Sequence, residues 1–339
     1  MLAPTDEFEL EKRLSEPTPE VHQSLAVLEG DLIVLGAGGK MGPSLCRMAR
    51  RASSNGRRIF AVSRFTNPCL VAQLVSWGIE VIQGDLFDRQ FIATLPACPL
   101  VVYMTGMKFG SSGQPSRAWA MNTVVPAMVC EKFRGSRFLS FSTGNVYPLV
   151  SVATSRGSTE DDPLGPVGEY AMTCVGRERI FEHYSREWGI PVTLIRLNYA
   201  SELRYGVLVD IARQVRRQEP VSLTMGFANV IWQADANAQA LAALALAASP
   251  PYVLNVSGPE ILRIRDVARR FGELFNLPVS FAGEEASTAL LNNSRHAQQM
   301  FGQPRVSAAQ MIEWIAAWIL GGGQLWDKPT HFEVRDGRF

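Results

Sequence analysis

Tyr170 and Cys174 stand four residues apart in EYAMTCVGRE, a spacing that puts two side chains on one face of a helix. A phenol so placed can carry a proton if a neighbouring positive charge draws its pKa down from about 10 toward neutrality. Cysteine supplies no such charge. A neutral thiol does almost nothing for the phenol, and a thiolate opposes its ionisation. Nor does Cys174 read as a nucleophile, because no histidine lies near it in sequence to activate it. It reads as a small residue filling buried space.

A second constellation is VLGAGGKMG, with Gly36, Gly39 and Gly42 between an apolar run and a helical pattern. Glycines in that context allow a tight turn, a close approach of backbone to a pyrophosphate and a close strand–helix contact. The helix N-terminus then presents unpaired N–H groups to the phosphates. In AVSRF the residues after the second apolar run are Ser63 and Arg64, with no acid among them. An acid there favours a free ribose 2′-hydroxyl and a basic residue a 2′-phosphate. We therefore expect an NAD(P) cofactor, NADP preferred over NAD, with Lys40 in the loop adding charge. Asp85 in GDLFD is placed to accept from an adenine amino group, or to cap a helix.

These residues need elements to hold them. Continuous apolar runs (DLIVL, RRIFAVS, IEVIQ, PLVVY, SRFLSFST and IPVTLIRL) alternate with helical patterns through residue 198. Such alternation implies β-α-β units, and unbroken apolar strands imply a sheet covered on both faces. The expected fold class is α/β, a doubly wound Rossmann-type parallel sheet with a smaller C-terminal lobe. We expect a helical extension over 1–30 and a dinucleotide-binding domain over 31–200, to which 230–256 returns. A substrate-binding lobe takes 201–229 and 257–339 and ends in a surface strap. RAWAMNTVVPAMVCEKF is helical with Pro126 inside it, which predicts a bend. ALAALALAAS is too short to span a bilayer and reads as a buried helix.

Composition excludes several classes. The 339 residues carry 33 Lys+Arg against 32 Asp+Glu, without blocks of like charge, so neither nucleic acid nor a membrane surface is an expected partner. The five cysteines are dispersed and form no C-x-x-C, and the four histidines are far apart. This predicts reduced thiols, a cytoplasmic location and no metal. The N-terminal stretch lacks the apolar core of a signal peptide.

Over roughly residues 31–275 the motifs resemble the extended short-chain dehydrogenase/reductase family, in its NAD-dependent epimerase/dehydratase branch. GAGGKMG resembles G-x-x-G-x-x-G, and YMTGMKFG resembles the segment after the fourth strand of UDP-galactose 4-epimerases, with Lys108 at a lysine position. AMNTVVPAMV resembles the helix that bears an asparagine, here Asn122. FLSFSTGNVYP resembles SSxxVYG and puts Thr143 at the Ser/Thr position. TEDDPLGPVGEYAMTCVGRE resembles E-x-x-P-x-x-P-x-x-x-Y-x-x-S-K-x-x-x-E.

The resemblance implies that Tyr170 is the acid/base and that Thr143 hydrogen-bonds the substrate oxygen, with Asn122 and Lys108 as further catalytic candidates. It implies cofactor contacts from Gly36, Gly39, Lys40, Met41 and Gly42, from Ser63 and Arg64, from Asp85 and Leu86, from Met104, Thr105, Gly106 and Lys108, and from Tyr170. The implied function is that of an oxidoreductase or epimerase acting on a hydroxyl or keto carbon of a small polyhydroxylated molecule, a sugar or sugar derivative. A homodimer through the helices bearing Asn122 and Tyr170 is implied as well.

Two positions depart from the family pattern. Cys174 replaces the lysine that binds the nicotinamide ribose and lowers the tyrosine pKa, and Ala228 stands where an arginine grips a nucleotide diphosphate. The first leaves an alternative open, a catalytically degenerate NAD(P)-binding sensor or interaction protein. It also leaves two readings of Lys108 open: that it only contacts phosphate, or that with the cationic cofactor ring it stands in for the missing charge. The second weighs against a nucleotide-linked substrate.

Overall fold

The computed structural model describes residues 2–53, 56–108, 110 and 113–338. Met1 of the expected extension, Ser54 and Asn55 of the helical pattern after the glycine loop, Phe109 of the fourth-strand motif and Phe339 of the expected strap lie outside the described residues. The centre is a seven-stranded sheet. Its strands are β1 (Leu32–Leu35), β2 (Ile59–Ser63), β3 (Glu80–Gln83), β4 (Leu100–Tyr103), β5 (Arg137–Thr143), β6 (Val192–Leu197) and β7 (Tyr252–Val256), in the order β7-β6-β5-β4-β1-β2-β3. Every pairing is parallel. The apolar runs LIVL and LVVY are buried along their whole length in β1 and β4, as a sheet covered on both faces requires. β3 is an edge, short and half exposed, which limits pairing with other chains. The direction of strand addition reverses between β1 and β4, and the crevice outside their C-terminal ends is where such sheets bind ligands.

The N-terminal extension is part of the core. Its helices Glu7–Leu14 and Pro19–Val27 start at side-chain caps, Asp6 and Thr18, the second with proline in the first turn. Leu10, Leu14, Val21 and Leu25 are buried. The second helix lies against Gln233–Ala243, where Ser24 Oγ donates to the Ala242 carbonyl at 2.8 Å. That helix, the alanine-rich one, is buried at every position. β7 follows it and pairs with β6, so residues beyond 230 re-enter the sheet. One hydrophobic cluster runs from Leu10 through the sheet and the following lobe to Phe332.

The expected bend at Pro126 takes a specific form. Helix Pro115–Trp119 passes through a π-turn, Ala120–Val124, into helix Val125–Lys132. A proline ring collides with the carbonyl four residues earlier, which here is that of Asn122. The wider turn lies at that carbonyl and removes the collision.

The C-terminal segment departs from the surface strap expected. Thr330 and Phe332 are buried, the Trp326 N–H donates to the Arg204 carbonyl at 3.0 Å, and Arg335 donates to Thr288. An apolar ring in a polar tail finds the main core and draws its neighbours inward.

Candidate active site

Gly36 turns the chain at the end of β1 with φ +92°, a left-handed conformation that favours glycine. A Cβ there would also lie 2.8 Å from the Thr105 amide nitrogen. A Cβ on Gly42 would overlap the Ala37 carbonyl, so helix Gly42–Ala52 could not close on the loop. Gly39 differs. A Cβ there meets only the Gly36 carbonyl at 3.5 Å, an ordinary contact. The protein itself does not need glycine at 39, yet Gly39 lines a cavity.

That cavity, about 330 Å³, lies at the C-terminal ends of the strands. Gly36, Gly39, Lys40, Met41 and Gly42 line it from the loop, and Met104, Gly106 and Lys108 from the segment after β4. Thr143 and Tyr170 line it as well. Ser63 and Thr105 sit next to the loop, and neither they nor Arg64, Asp85 and Leu86 line the cavity. A Cβ on Gly38 would meet Ser63 Oγ at 2.6 Å, and the Arg64 side chain is exposed. The Asp85 carboxylate accepts from the Phe87 N–H at 3.0 Å. Among the described residues no cluster of three potential metal ligands exists, and no helix is long and apolar enough to cross a membrane.

Helix Gly168–Trp188 carries the tyrosine and ends at Gly189 in the left-handed conformation, a common helix stop. The Tyr170 phenol shares hydrogen bonds with the Thr143 and Cys174 side chains. Burial holds it well above its ordinary pKa. The thiol beside it adds to the rise, and the guanidinium of Arg177 with the Thr143 hydrogen bond opposes it. Burial likewise keeps the Cys174 thiol neutral, so nothing supports a nucleophilic cysteine.

Arg177 is the residue that sequence reasoning missed. It is 5% exposed and lines the cavity. It donates through Nη1 to the Phe141 carbonyl and through Nη2 to Asn122 Oδ1, each at 2.7 Å, and Nη2 also reaches Cys174 Sγ at 3.6 Å. A signal existed. Tyr170, Cys174, Arg177 and Phe181 fall at i, i+4, i+7 and i+11, one stripe of a helix, and the stripe is otherwise apolar or small.

Two of the expected catalytic residues take distinct positions. Asn122 does not line the cavity. Fully buried on the π-turn, it accepts from the Met107 N–H at 3.2 Å and from Arg177, and donates to Thr173 Oγ1 at 2.7 Å. It ties three segments together, its amide held between helices by the π-turn. Lys108 does enter the cavity, but its Nζ lies 6.0 Å from the Tyr170 ring centroid and 3.4 Å from the Thr330 carbonyl. Burial pushes its pKa down to about 8, so its charge fades as pH rises through that value. Lys40 projects over the Tyr205 ring at 3.1 Å from the centroid, its pKa brought down to about 7 by burial and then by Lys108.

Residues 32–223, more than half of the chain, match the sequence model of the NAD-dependent epimerase/dehydratase family. No curated protein sequence matches significantly. Among solved structures, the chain is similar to a UDP-glucose 4-epimerase of Thermotoga maritima, solved with UDP-glucose, at a TM-score of 0.71 and 16% identity. That match covers 86% of this chain and 99% of the other. It is similar to a UDP-glucuronic acid 4-epimerase of Bacillus cereus, solved with UDP-glucuronic acid and NAD, at a TM-score of 0.70 and 16% identity over 86% and 99% of the two chains. It is also similar to a dTDP-glucose 4,6-dehydratase of Streptomyces venezuelae, a double mutant solved with NAD, at a TM-score of 0.73 and 17% identity over 85% and 96%.

Proposed function

Because the chain belongs to the NAD-dependent epimerase/dehydratase family and is an enzyme of that type, we propose that it moves hydride between a nicotinamide cofactor and a hydroxyl or keto carbon of a small polyhydroxylated substrate. The observation that carries this reading is the Thr143–Tyr170 pair in the wall of the cavity that the glycine loop lines. The bound cofactor supplies or accepts the hydride. Tyr170 gives its proton to the oxygen when a carbonyl is reduced, or takes the hydroxyl proton when an alcohol is oxidised. Thr143 hydrogen-bonds the same oxygen and fixes its direction.

The loop fits a dinucleotide, since among the described residues a Cβ at Gly39 would meet only the Gly36 carbonyl, at an ordinary 3.5 Å. Exposed Arg64 beside Ser63, with no acid between them and the loop, supports NADP over NAD. On the substrate side, Ala228 is fully buried in a short strand paired with Leu262–Arg263. No cation stands at that position to grip a diphosphate, and Thr330 from the tail occupies part of the cavity wall. Both features support a free sugar or sugar acid over a nucleotide-linked one.

The test is equilibrium binding of NADP⁺ and NAD⁺ to purified protein. Hydride exchange from 4-deuterated reduced cofactor to a panel of keto sugars follows. Binding of NADP⁺ tighter than NAD⁺, with transfer to at least one panel member, is the expected outcome. Failure to bind either nucleotide overturns the reading. Binding without any transfer favours the alternative, a nucleotide-responsive protein without turnover. Gly39→Val separates folding from binding. Its thermal midpoint should stay within a few degrees of the parent, while dinucleotide affinity falls at least about tenfold, because the branched side chain enters the ligand's space. Calorimetry of both proteins measures this.

We further propose a homodimer. Trp119, Val124 and Met172 lie on the helical segments bearing Asn122 and Tyr170, and Val167 caps the second; all four are 37–50% exposed. Apolar side chains grouped in this way mark interaction faces. Sedimentation should show a dimer for the parent and a monomer for Val124→Asp/Met172→Glu. A parent that sediments as a monomer at micromolar concentration removes the proposal.

A further inference from the structure

The missing lysine leaves a specific question, namely what positive charge acts on the buried phenol of Tyr170. We propose that Arg177 supplies it, reaching in from one turn further along the same helix, so that Arg177, Cys174 and Gly106 together replace the lysine as the unit that positions and polarises Tyr170. This rests on the reading of Tyr170 as acid/base.

The geometry is unusual for an arginine. Its acceptors are all neutral: a backbone carbonyl, an amide oxygen and a thiol sulfur. Among the described residues no carboxylate lies within ion-pair distance of it. The neighbouring Glu178 is committed elsewhere, to Arg196 at 2.8 Å and to the Ser142 hydroxyl at 2.5 Å. A buried guanidinium without an anion is costly, and sequences keep one where its field is useful. Here the field falls on two groups. Arg177 is the largest charged influence drawing down the thiol of Cys174, ahead of Lys108, and it also draws down the phenol.

The surroundings are cut to fit the guanidinium. A Cβ on Gly106 would lie 2.6 Å from Arg177 Nη2 and 3.1 Å from Asn122 Oδ1. Only a glycine after β4 leaves room for both. Cys174 sits between Tyr170 and Arg177, sharing a hydrogen bond with the first and accepting from the second. A lysine stem at 174 would compete for the volume that the guanidinium fills. The cysteine is therefore the residue that admits the substitute charge. A guanidinium also differs from an ammonium in its pH response, staying charged throughout the working range. Lys108, the rival source of charge, loses its proton near pH 8.

The experiment is a titration of 2,3,5-trifluorotyrosine incorporated at position 170, followed by fluorine NMR. This analogue ionises several pH units below tyrosine, which brings a buried phenol into range. We expect Arg177→Met to lower the acid dissociation constant at least about tenfold, and Arg177→Met/Cys174→Lys to restore it. Lys108→Met should change it less than Arg177→Met. A folded Arg177→Met protein whose constant stays within about twofold of the parent overturns the proposal, as does a larger effect from Lys108→Met. Arg177 also anchors Asn122, so the first check on Arg177→Met is whether it folds alone. Where it does not, the double variant decides, because a folded double variant with a phenol at least about tenfold more acidic than in the parent shows a lysine charge added where none was lost, and is equally fatal. The titration needs neither substrate nor turnover. It can fail while Tyr170 proves to be the acid/base, and it can succeed in a protein that turns nothing over.

Discussion

Tyr170→Phe should lower turnover on the best substrate of the panel by about 10²–10⁴-fold, the usual worth of a positioned general acid or base. The substitution is clean because the ring and the hydroxyl have separate tasks. The ring packs beside Val146, Tyr147 and Cys174, and phenylalanine keeps that contact. Only the oxygen between Thr143 and Cys174 is lost. Thr143 Oγ1 still accepts from the Asn145 N–H at 3.2 Å, so the end of β5 should not rearrange. The thermal midpoint should therefore move by no more than a few degrees, and dinucleotide affinity by less than about tenfold. A Tyr170→Phe protein that turns over within tenfold of the parent would remove Tyr170 from proton transfer, whatever the fold.

A chain lacking residues 1–28 should not fold cooperatively. Those residues bring Leu10, Leu14, Val21 and Leu25 into the core. Cutting one such leucine back to alanine costs about 2–5 kcal/mol, against a total stability on the order of 5–15 kcal/mol. The deletion removes all four at once and uncovers Gln233–Ala243, which is buried at every position. It also removes Glu11, which meets the buried guanidinium of Arg204 at 2.8 Å. Circular dichroism on heating should show no sharp transition, and a hydrophobic dye should bind the truncated chain. A sharp transition close to that of the full chain would make the two helices an appendage. Leu14→Ala is the graded form of the test and should lower the midpoint by several degrees.

The sheet was legible because its signals are local. Unbroken runs such as LIVL and LVVY, separated by helical patterns and closed by glycines, fix strands, crossovers and the crevice without long-range knowledge. The Thr143–Tyr170 pair was legible from motif order. What stayed hidden depends on reach. RERIFEHYSRE looks like a solvated helix face, and nothing local separates Arg177, which turns inward, from Arg179, which pairs with Glu182 at the surface. The stripe position was the clue, but a long side chain at its margin can swing either way. Phe332 shows the same limit. One aromatic in a polar tail names no partner until the lobe that receives it is built. The N-terminal helices were visible as helices, but their attachment to Gln233–Ala243 joins segments more than 200 residues apart.

The π-turn at Ala120–Val124 has a consequence for how this protein tolerates insertions and deletions. Such a turn holds one residue more than the α-helix around it, and that residue sets the angular phase of everything on its N-terminal side. Deleting one residue there would let the helix run straight and rotate the preceding segment by about 100°. Trp119 would leave Glu169, and the amide of residue 122 would leave the guanidinium it holds. Length variation among relatives of this chain should therefore stop at this turn, even where it is free in the neighbouring loops.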